Sequence, residues 1–337
     1  MTYLRTIGEV IGFLVLCFIM IAEATVKWLI PRRYRMKSID GEIALVTGGG
    51  GGLGRLLSLR LANLGAIVVV WDINEAGIEE TVKLVRAAGG ICYGYVCDLC
   101  DREDIYNKAK IITEKIGKVT ILINNAGIVT GTKFLDTADK LIIRTMNVNI
   151  MSHFWTVKAF LPAMLESNKG HIVSVASMAG QVGTPKLVDY CASKFAAVGF
   201  DEALRIELEY EGYNINTTVI CPYFIRSTGM FDNVKSRFVP TLNSNIVADR
   251  VITAMRCNEK YAIIPSYFGV LMWMKWIMPW SIISMFLRAL VVDASPNNKP
   301  HVTATDNEKD SSHNLPSKSA VIRQPLARRT SNSERKP

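Results

Sequence analysis

Metal-ligand patterns are missing from this sequence. Only four histidines occur, at positions 153, 171, 301 and 313, and none has ligand spacing; no residue is assigned to a metal. The seven cysteines (17, 92, 97, 100, 191, 221 and 257) are odd in number and widely spaced. That argues against a disulfide framework and for a reducing compartment. Cys97 and Cys100 form one C-x-x-C with no second pair, so they read as ordinary thiols near a strand end rather than a zinc site. No small-residue cleavage site follows the first apolar segment, which ends in Trp28 before Pro-Arg-Arg-Tyr-Arg-Met-Lys; a removable signal peptide is not expected. The net charge is +9, but the basic residues are scattered and gather mainly beside apolar segments and in the tail. That distribution argues against a nucleic-acid reader and for a membrane surface.

Apolar residues are plentiful, at 49% of 337, enough for a substantial core. The first apolar segment covers residues 7–30. Its uncharged core, Val10 to Ala22, lies between Glu9 and Glu23 and is short against the about 20 residues of a span. Extension to Ile30 admits Glu23 and Lys27. Glu9, Glu23 and Lys27 fall on one helix face, and Glu23 and Lys27 can pair one turn apart. Arg32, Arg33, Arg35 and Lys37 follow the segment, against Arg5 before it, which places the next domain in the cytosol. Residues 1–37 are expected to be an uncleaved anchor, spanning or hairpin-shaped, with a helix lying in one leaflet as the alternative. A second apolar stretch, 266–293, carries Trp273, Trp276 and Trp280 and is interrupted by Lys275, Pro279 and Arg288. It reads as a kinked element lying on the membrane, with a homodimer surface as the competing reading. From Ala294 to 337 the composition is polar and basic, and disorder is expected.

Between these segments the pattern alternates. Glu42–Thr47 is a short apolar β run that leads into the glycine turn 48–54 (G-G-G-G-G-L-G) and a helical pattern through Leu64. Glycines let a pyrophosphate approach the backbone, and the helix N-terminus favours its charge. The strand Ile67–Trp71 ends at Asp72, 18 residues beyond Gly54. A carboxylate there accepts the 2′-hydroxyl of NAD and repels the 2′-phosphate of NADP. Positions 72–74 hold no arginine, and Arg55 is the one residue that could serve NADP; NAD is the expected cofactor. A helix over Glu75–Ala88, a strand over Ile91–Cys97, a helix over Asp101–Ile116 and a strand over Val119–Asn124 follow. Such alternation predicts an α/β, Rossmann-type, doubly wound parallel sheet, with ligands beyond the strand carboxyl ends.

One stretch carries chemistry of its own. Ser177 stands thirteen residues before Tyr190, and Lys194 four residues after it. Tyr190 and Lys194 therefore share a helix face. An ammonium beside a phenol favours the phenolate, which can take a proton from an alcohol.

With Thr47-Gly-x-x-x-Gly-x-Gly54, Asp98, Asn-Asn-Ala-Gly at 124–127, Asn149, Ser177 and Tyr190-x-x-x-Lys194, residues 38–265 resemble the short-chain dehydrogenase/reductase family. The resemblance implies that Tyr190 is the general acid/base and that Lys194 lowers its pKa and binds the nicotinamide ribose. Ser177 would hold the substrate oxygen, and Asn149, rather than Asn147, a relay water. Gly48, Gly52, Leu53, Gly54, Asp72, Leu99, Ala126, Gly127, Pro222 and Ile225 would line the dinucleotide, Asp98 would meet the adenine, and Asn125 would brace the sheet. The stretch Cys221-Pro-Tyr-Phe-Ile-Arg-Ser-Thr departs from the usual Pro-Gly form and resembles the retinol and 17β-hydroxysteroid branch called 16C. Either Ser227 or Thr228 could meet the carboxamide. The sequon Asn216-Thr217-Thr218 opens a buried strand on this reading and is not a glycosylation site.

Residues 226–247 form the variable substrate cover. Met230, Phe231, Phe238 and Leu242 make it apolar, with Lys235 and Arg237 as its charges. The expected function is NAD-dependent oxidation of a lipophilic alcohol, retinol to retinal first, at the endoplasmic reticulum membrane or a lipid droplet. A hydroxysteroid or long-chain alcohol, NADP-linked carbonyl reduction and a catalytically idle scaffold are the alternatives.

Overall fold

A computed structural model describes residues 2–231, 234–236 and 239–293. The polar tail from Ala294, together with Arg237 and Phe238 of the substrate cover, lies outside the described residues.

The chain begins with one continuous helix, α1 (Thr2–Leu29). Its stretch Arg5–Val26 is long and apolar enough to cross a membrane and is nowhere buried in the protein. The thirteen-residue core is thus extended at both ends. Glu9 is accommodated by Arg5, whose Nε stands 3.1 Å from its carboxylate one turn earlier. The Lys27 side chain lies outside the described residues.

The alternating pattern folds into β1 (Ile43–Thr47), α2 (Gly52–Asn63), β2 (Ile67–Asp72), α3 (Glu75–Ala87), β3 (Cys92–Val96), α4 (Arg102–Lys115) and β4 (Ile121–Asn124). Next, α5 (Asp139–Met146) runs through a π turn (Asn147–Met151) into α6 (Ser152–Glu166). Then come β5 (Gly170–Val175), α7 (Val188–Tyr210), β6 (Ile215–Pro222), α8 (Ser244–Arg256) and β7 (Tyr261–Ile264). The seven strands form one sheet in the order β7-β6-β5-β4-β1-β2-β3, every pair parallel. Asn216 and its two threonines pair within β6 against β5.

Both faces are covered, so the strands read as unbroken apolar runs. Period-two alternation divides the core. Ala44, Val46, Val68 and Val70 pack with Leu57 and Leu61 of α2, Ile78 and Val85 of α3, and Val251 and Met255 of α8. Leu45, Val69 and Trp71 face the other way, toward Ile105 and Ile112 of α4 and Phe160 and Met164 of α6. Each fully buried aliphatic contributes about 1.5–3 kcal/mol. Strand order reverses between β1 and β4, which opens a crevice beyond their carboxyl ends.

At the other end of the chain, α9 (Phe268–Met274) and α10 (Trp280–Leu290) are separated at the Pro279 break. Trp273, Trp276, Ile277 and Trp280 are exposed there.

Candidate active site

The glycine turn joins β1 to α2. A Cβ on Gly54 would stand 2.1 Å from the Gly48 carbonyl oxygen, and Gly48 itself has φ +65°; neither position admits a side chain. Helices α3, α4 and α8 are capped by the side chains of Asn74, Asp101 and Asn243. Helix α2 starts from Gly51 with no side-chain cap, and a Cβ there would meet nothing within 4 Å. Its first turn thus has backbone donors without a side-chain cap and space beside Gly51, which fits the pyrophosphate of a dinucleotide.

Asp72 ends β2 beside this turn. Its Oδ2 accepts from the Gly50 amide at 2.9 Å and its Oδ1 from the Asn74 amide at 3.0 Å. Arg55 is committed elsewhere. It donates to the Gly50 carbonyl (2.7 Å) and to Thr81 Oγ1 (3.0 Å), and it pairs with Glu80 at 2.6 Å. Asn125 binds the β1 end, with Nδ2 donating to the Thr47 carbonyl at 2.9 Å. Thr47 Oγ1 accepts from the amides of Asn125 and Ala126 at 3.0 and 3.1 Å. Asp98 is exposed and accepts from the Cys100 amide at 2.9 Å, while Leu53 and Leu99 are buried in the core behind the crevice. Pro222 closes β6, and Ile225 pairs with Leu242. The carbonyl of Thr228 lies 3.2 Å from where a Cβ on Gly52 would stand, which brings this loop over the glycine turn. Ser227 has φ +60°, and Thr228 Oγ1 donates to the Ile225 carbonyl at 3.3 Å.

Ser177, Tyr190 and Lys194 meet at the carboxyl end of β5. Ser177 caps a short turn, its Oγ accepting from the Ala179 amide at 3.1 Å. Its side chain also hydrogen-bonds the Tyr190 hydroxyl, which favours the phenolate. Lys194 Nζ lies 5.7 Å from the Tyr190 ring centre and donates to the Val175 carbonyl at 2.8 Å. Both are buried. Burial holds the Tyr190 hydroxyl well above its usual range and lowers Lys194 to about 8. In this state the tyrosine is raised rather than depressed, because loss of solvent outweighs the Ser177 hydrogen bond.

Asn149 sits in the π turn, a feature common at functional sites. Its Oδ1 accepts from the Ile128 amide at 2.8 Å. Its Nδ2 donates to the Ile128 carbonyl at 2.9 Å and to Ser193 Oγ at 3.0 Å. The amide hydrogens thus tie Ile128, directly after the 124–127 turn, to Ser193 of α7. A methyl on Gly127 would stand 3.5 Å from both Asn149 Oδ1 and Lys194 Nζ, so the 124–127 turn and the lysine are neighbours.

Over Tyr190 lies an apolar wall. Phe231 meets the Tyr190 ring edge to face at 5.7 Å and Phe224 at 5.1 Å, with Leu187, Val129 and Met230 around them. The sequence had not pointed to Ser193 or to the Arg55–Glu80 pair. Each acts through backbone or cross-element contacts that no motif records.

A family model described as short chain dehydrogenase matches residues 42–237. The bovine (Bos taurus) short-chain dehydrogenase/reductase family 16C member 6 is 45% identical, covering 79% of this chain and 85% of its own. Human (Homo sapiens) epidermal retinol dehydrogenase 2 is 43% identical over 76% of this chain and 84% of its own. Human estradiol 17-beta-dehydrogenase 11 is 41% identical over 87% and 96%. A short chain dehydrogenase/reductase from Burkholderia phymatum, crystallised with NAD, superposes with a TM-score of 0.66 at 28% identity, covering 70% of this chain and 93% of that one. With this match and this geometry, the chain belongs to the short-chain dehydrogenase family and is a nicotinamide-dependent alcohol dehydrogenase.

Proposed function

We propose that this enzyme oxidises a lipophilic alcohol with NAD, retinol to retinal first, while anchored to a membrane by α1. The carrying observation is the cluster of half-buried Ser177 with buried Tyr190 and Lys194 under the Phe224–Phe231 wall, beside the uncapped start of α2. The nicotinamide ring supplies the hydride acceptor. Tyr190 takes the hydroxyl proton and Ser177 orients the substrate oxygen. The Lys194 ammonium favours the phenolate against the burial that opposes it. Gly48, Gly52 and Gly54 make room for the pyrophosphate, and Asp72 holds the adenosine ribose. Preference for NAD rests on Asp72 and on an Arg55 whose guanidinium is taken up by Glu80, Thr81 and Gly50. Ile225 meets the nicotinamide through its backbone, and Asp98 the adenine.

Anchoring rests on the length and apolarity of α1 and on the basic residues after it, which favour a cytosolic catalytic domain at the endoplasmic reticulum or a lipid droplet. The exposed tryptophans of α9 and α10 suit the same interface. The 41% identity to an estradiol dehydrogenase favours a hydroxysteroid as the second substrate.

The test is a panel of retinol, steroid and fatty alcohols on membranes carrying the full chain, with NAD and NADP in parallel. Retinol oxidation is expected with NAD favoured by about tenfold or more, and Tyr190→Phe lowers it about 10³-fold. Undiminished oxidation by Tyr190→Phe would sink the catalytic assignment. A faster steroid or fatty alcohol would replace retinol, and a preference for NADP would overturn the cofactor choice.

A further inference from the structure

The tryptophan-rich carboxyl segment makes a polar contact with the catalytic turn through Lys275. Lys275, just past α9, donates from Nζ to the backbone carbonyl of Gln181 at 2.6 Å. Its ammonium also lies 5.4 Å from the ring centre of Phe195 and 5.6 Å from that of Trp276. Phe195 follows Lys194 directly on α7, and Gln181 ends the short turn that Ser177 begins. Within that turn the Gly180 amide bonds the Ser177 carbonyl at 2.8 Å, and the Gln181 amide bonds the Met178 carbonyl at 2.9 Å. Further on, Gln181 Nε2 approaches Cys221 Sγ at 3.9 Å, which makes one more, weaker tie to β6.

A charged donor on a carbonyl makes a strong, directional contact, and two aromatic faces hold the cation where it can make it. The Lys275 ammonium is half-buried, and burial lowers its pKa from the ordinary lysine value. No carboxylate pairs with it among the described residues. An ion-pair role on the surface is therefore set aside, and the carbonyl is its polar partner.

We propose that Lys275 is a positioning residue, which clamps the Ser177–Gln181 turn from the carboxyl segment so that seating of that segment aligns the serine hydroxyl with Tyr190. This rests on the reading of Ser177 as the residue that holds the substrate oxygen. The clamp accounts for a lysine placed inside an otherwise apolar run.

The test uses the full chain in phosphatidylcholine vesicles, as wild type, Lys275→Met, Lys275→Arg and Trp276→Leu. Two readouts are taken: hydrogen exchange at the Gly180 and Gln181 amides, and kcat and KM for the alcohol. Lys275→Met is expected to speed that exchange about tenfold and to lower kcat about five- to twentyfold, with KM within about twofold. Lys275→Arg, which keeps a donor and stacks on the same rings, restores both to within about threefold. Trp276→Leu, which removes one face of the cage, gives intermediate values and keeps the test open should Lys275→Met not fold. Exchange and kcat of Lys275→Met both at wild-type levels would overturn the proposal. So would fast exchange with unchanged kcat, since the turn would then not govern alignment. If the wild type oxidised no alcohol, the functional reading would fail by itself, and exchange would still judge the clamp.

Discussion

One desolvated lysine stands against each end of strand β5, Lys194 buried and Lys37 half-buried. At its carboxyl end Lys194 donates to the Val175 carbonyl; at its amino end Lys37 Nζ meets His171 Nδ1 at 2.7 Å. Burial depresses both ammoniums to about 8. Their surroundings differ. The amino end is a closed chain: His171 Nε2 meets Thr218 Oγ1 at 2.8 Å, and Thr218 Oγ1 donates to the Glu259 carbonyl at 2.7 Å. Thr218 gives its hydrogen to Glu259, so Nε2 carries the imidazole proton and Nδ1 accepts from Lys37. Glu42, with Lys169 and Thr120 on its carboxylate, adds a favourable field. At the carboxyl end no carboxylate pairs with Lys194 among the described residues, and its neighbours include Tyr190, Gly127, Cys221 and His153. A desolvated cation is spent on structure at the amino end of the strand, and on the proposed mechanism the one at the carboxyl end serves chemistry.

The widest separation is expected from Lys194→Met. It removes the charge that favours the Tyr190 phenolate, and kcat/KM falls about 10³-fold. Folding stability stays within about 1 kcal/mol of wild type, because a costly buried charge leaves with the hydrogen bond. Chemical denaturation beside steady-state kinetics checks both halves. A variant that lost stability and activity together would put Lys194 in the same class as Lys37.

These two lysines also mark how far the sequence could be read. Tyr190 and Lys194 are one turn apart, so their meeting is legible from local periodicity, as are the glycine turn and the acid after β2. Lys37 and His171 are separated by 134 positions, and only the fold makes them partners. In the sequence Lys37 counts with the basic flank of the anchor; in the structure it belongs to the folded domain, with its amide on the Arg256 carbonyl and Arg256 Nε on its own carbonyl. Arg55 was open to a phosphate by position alone, yet Glu80, from the next helix, takes it up. The thirteen-residue apolar core understated α1, because the Arg5–Glu9 pair lets the helix continue through a charge. Raised acidity of Tyr190 was argued from one neighbour, whereas burial depends on all of them.

A smaller effect is expected from breaking the closed end. His171→Leu leaves Lys37 without its acceptor and Thr218 without one of its two partners. The fold should lose about 2–3 kcal/mol, as for a buried polar group stripped of its partner. At a pH and temperature where the variant remains folded, kcat/KM should stay within about twofold of wild type, since the change is at the far end of β5. A fall in kcat/KM comparable to that of Lys194→Met, in protein shown to be folded, would mean that the two ends of the strand are not separate.

The smallest effect is in the pH dependence of stability, and it has a definite sign. Both ammoniums have folded-state pKa values near 8, below the ordinary 10.5. Between those limits the unfolded chain keeps protons that the folded chain has shed, so stability rises with pH across the window. Below about 8 both lysines are protonated in either state, and their contribution is flat, with the full cost of burial present. Each contributes a slope of up to ~1.4 kcal/mol per pH unit inside the window. Lys37→Met should remove one of the two contributions and leave the Lys194 share, read as a shallower rise in denaturation free energy from pH 8 to about 10. An unchanged slope would show that Lys37 is solvated in solution. The closed chain on His171 would then be absent, and the contrast between the two ends of β5 would rest on Lys194 alone.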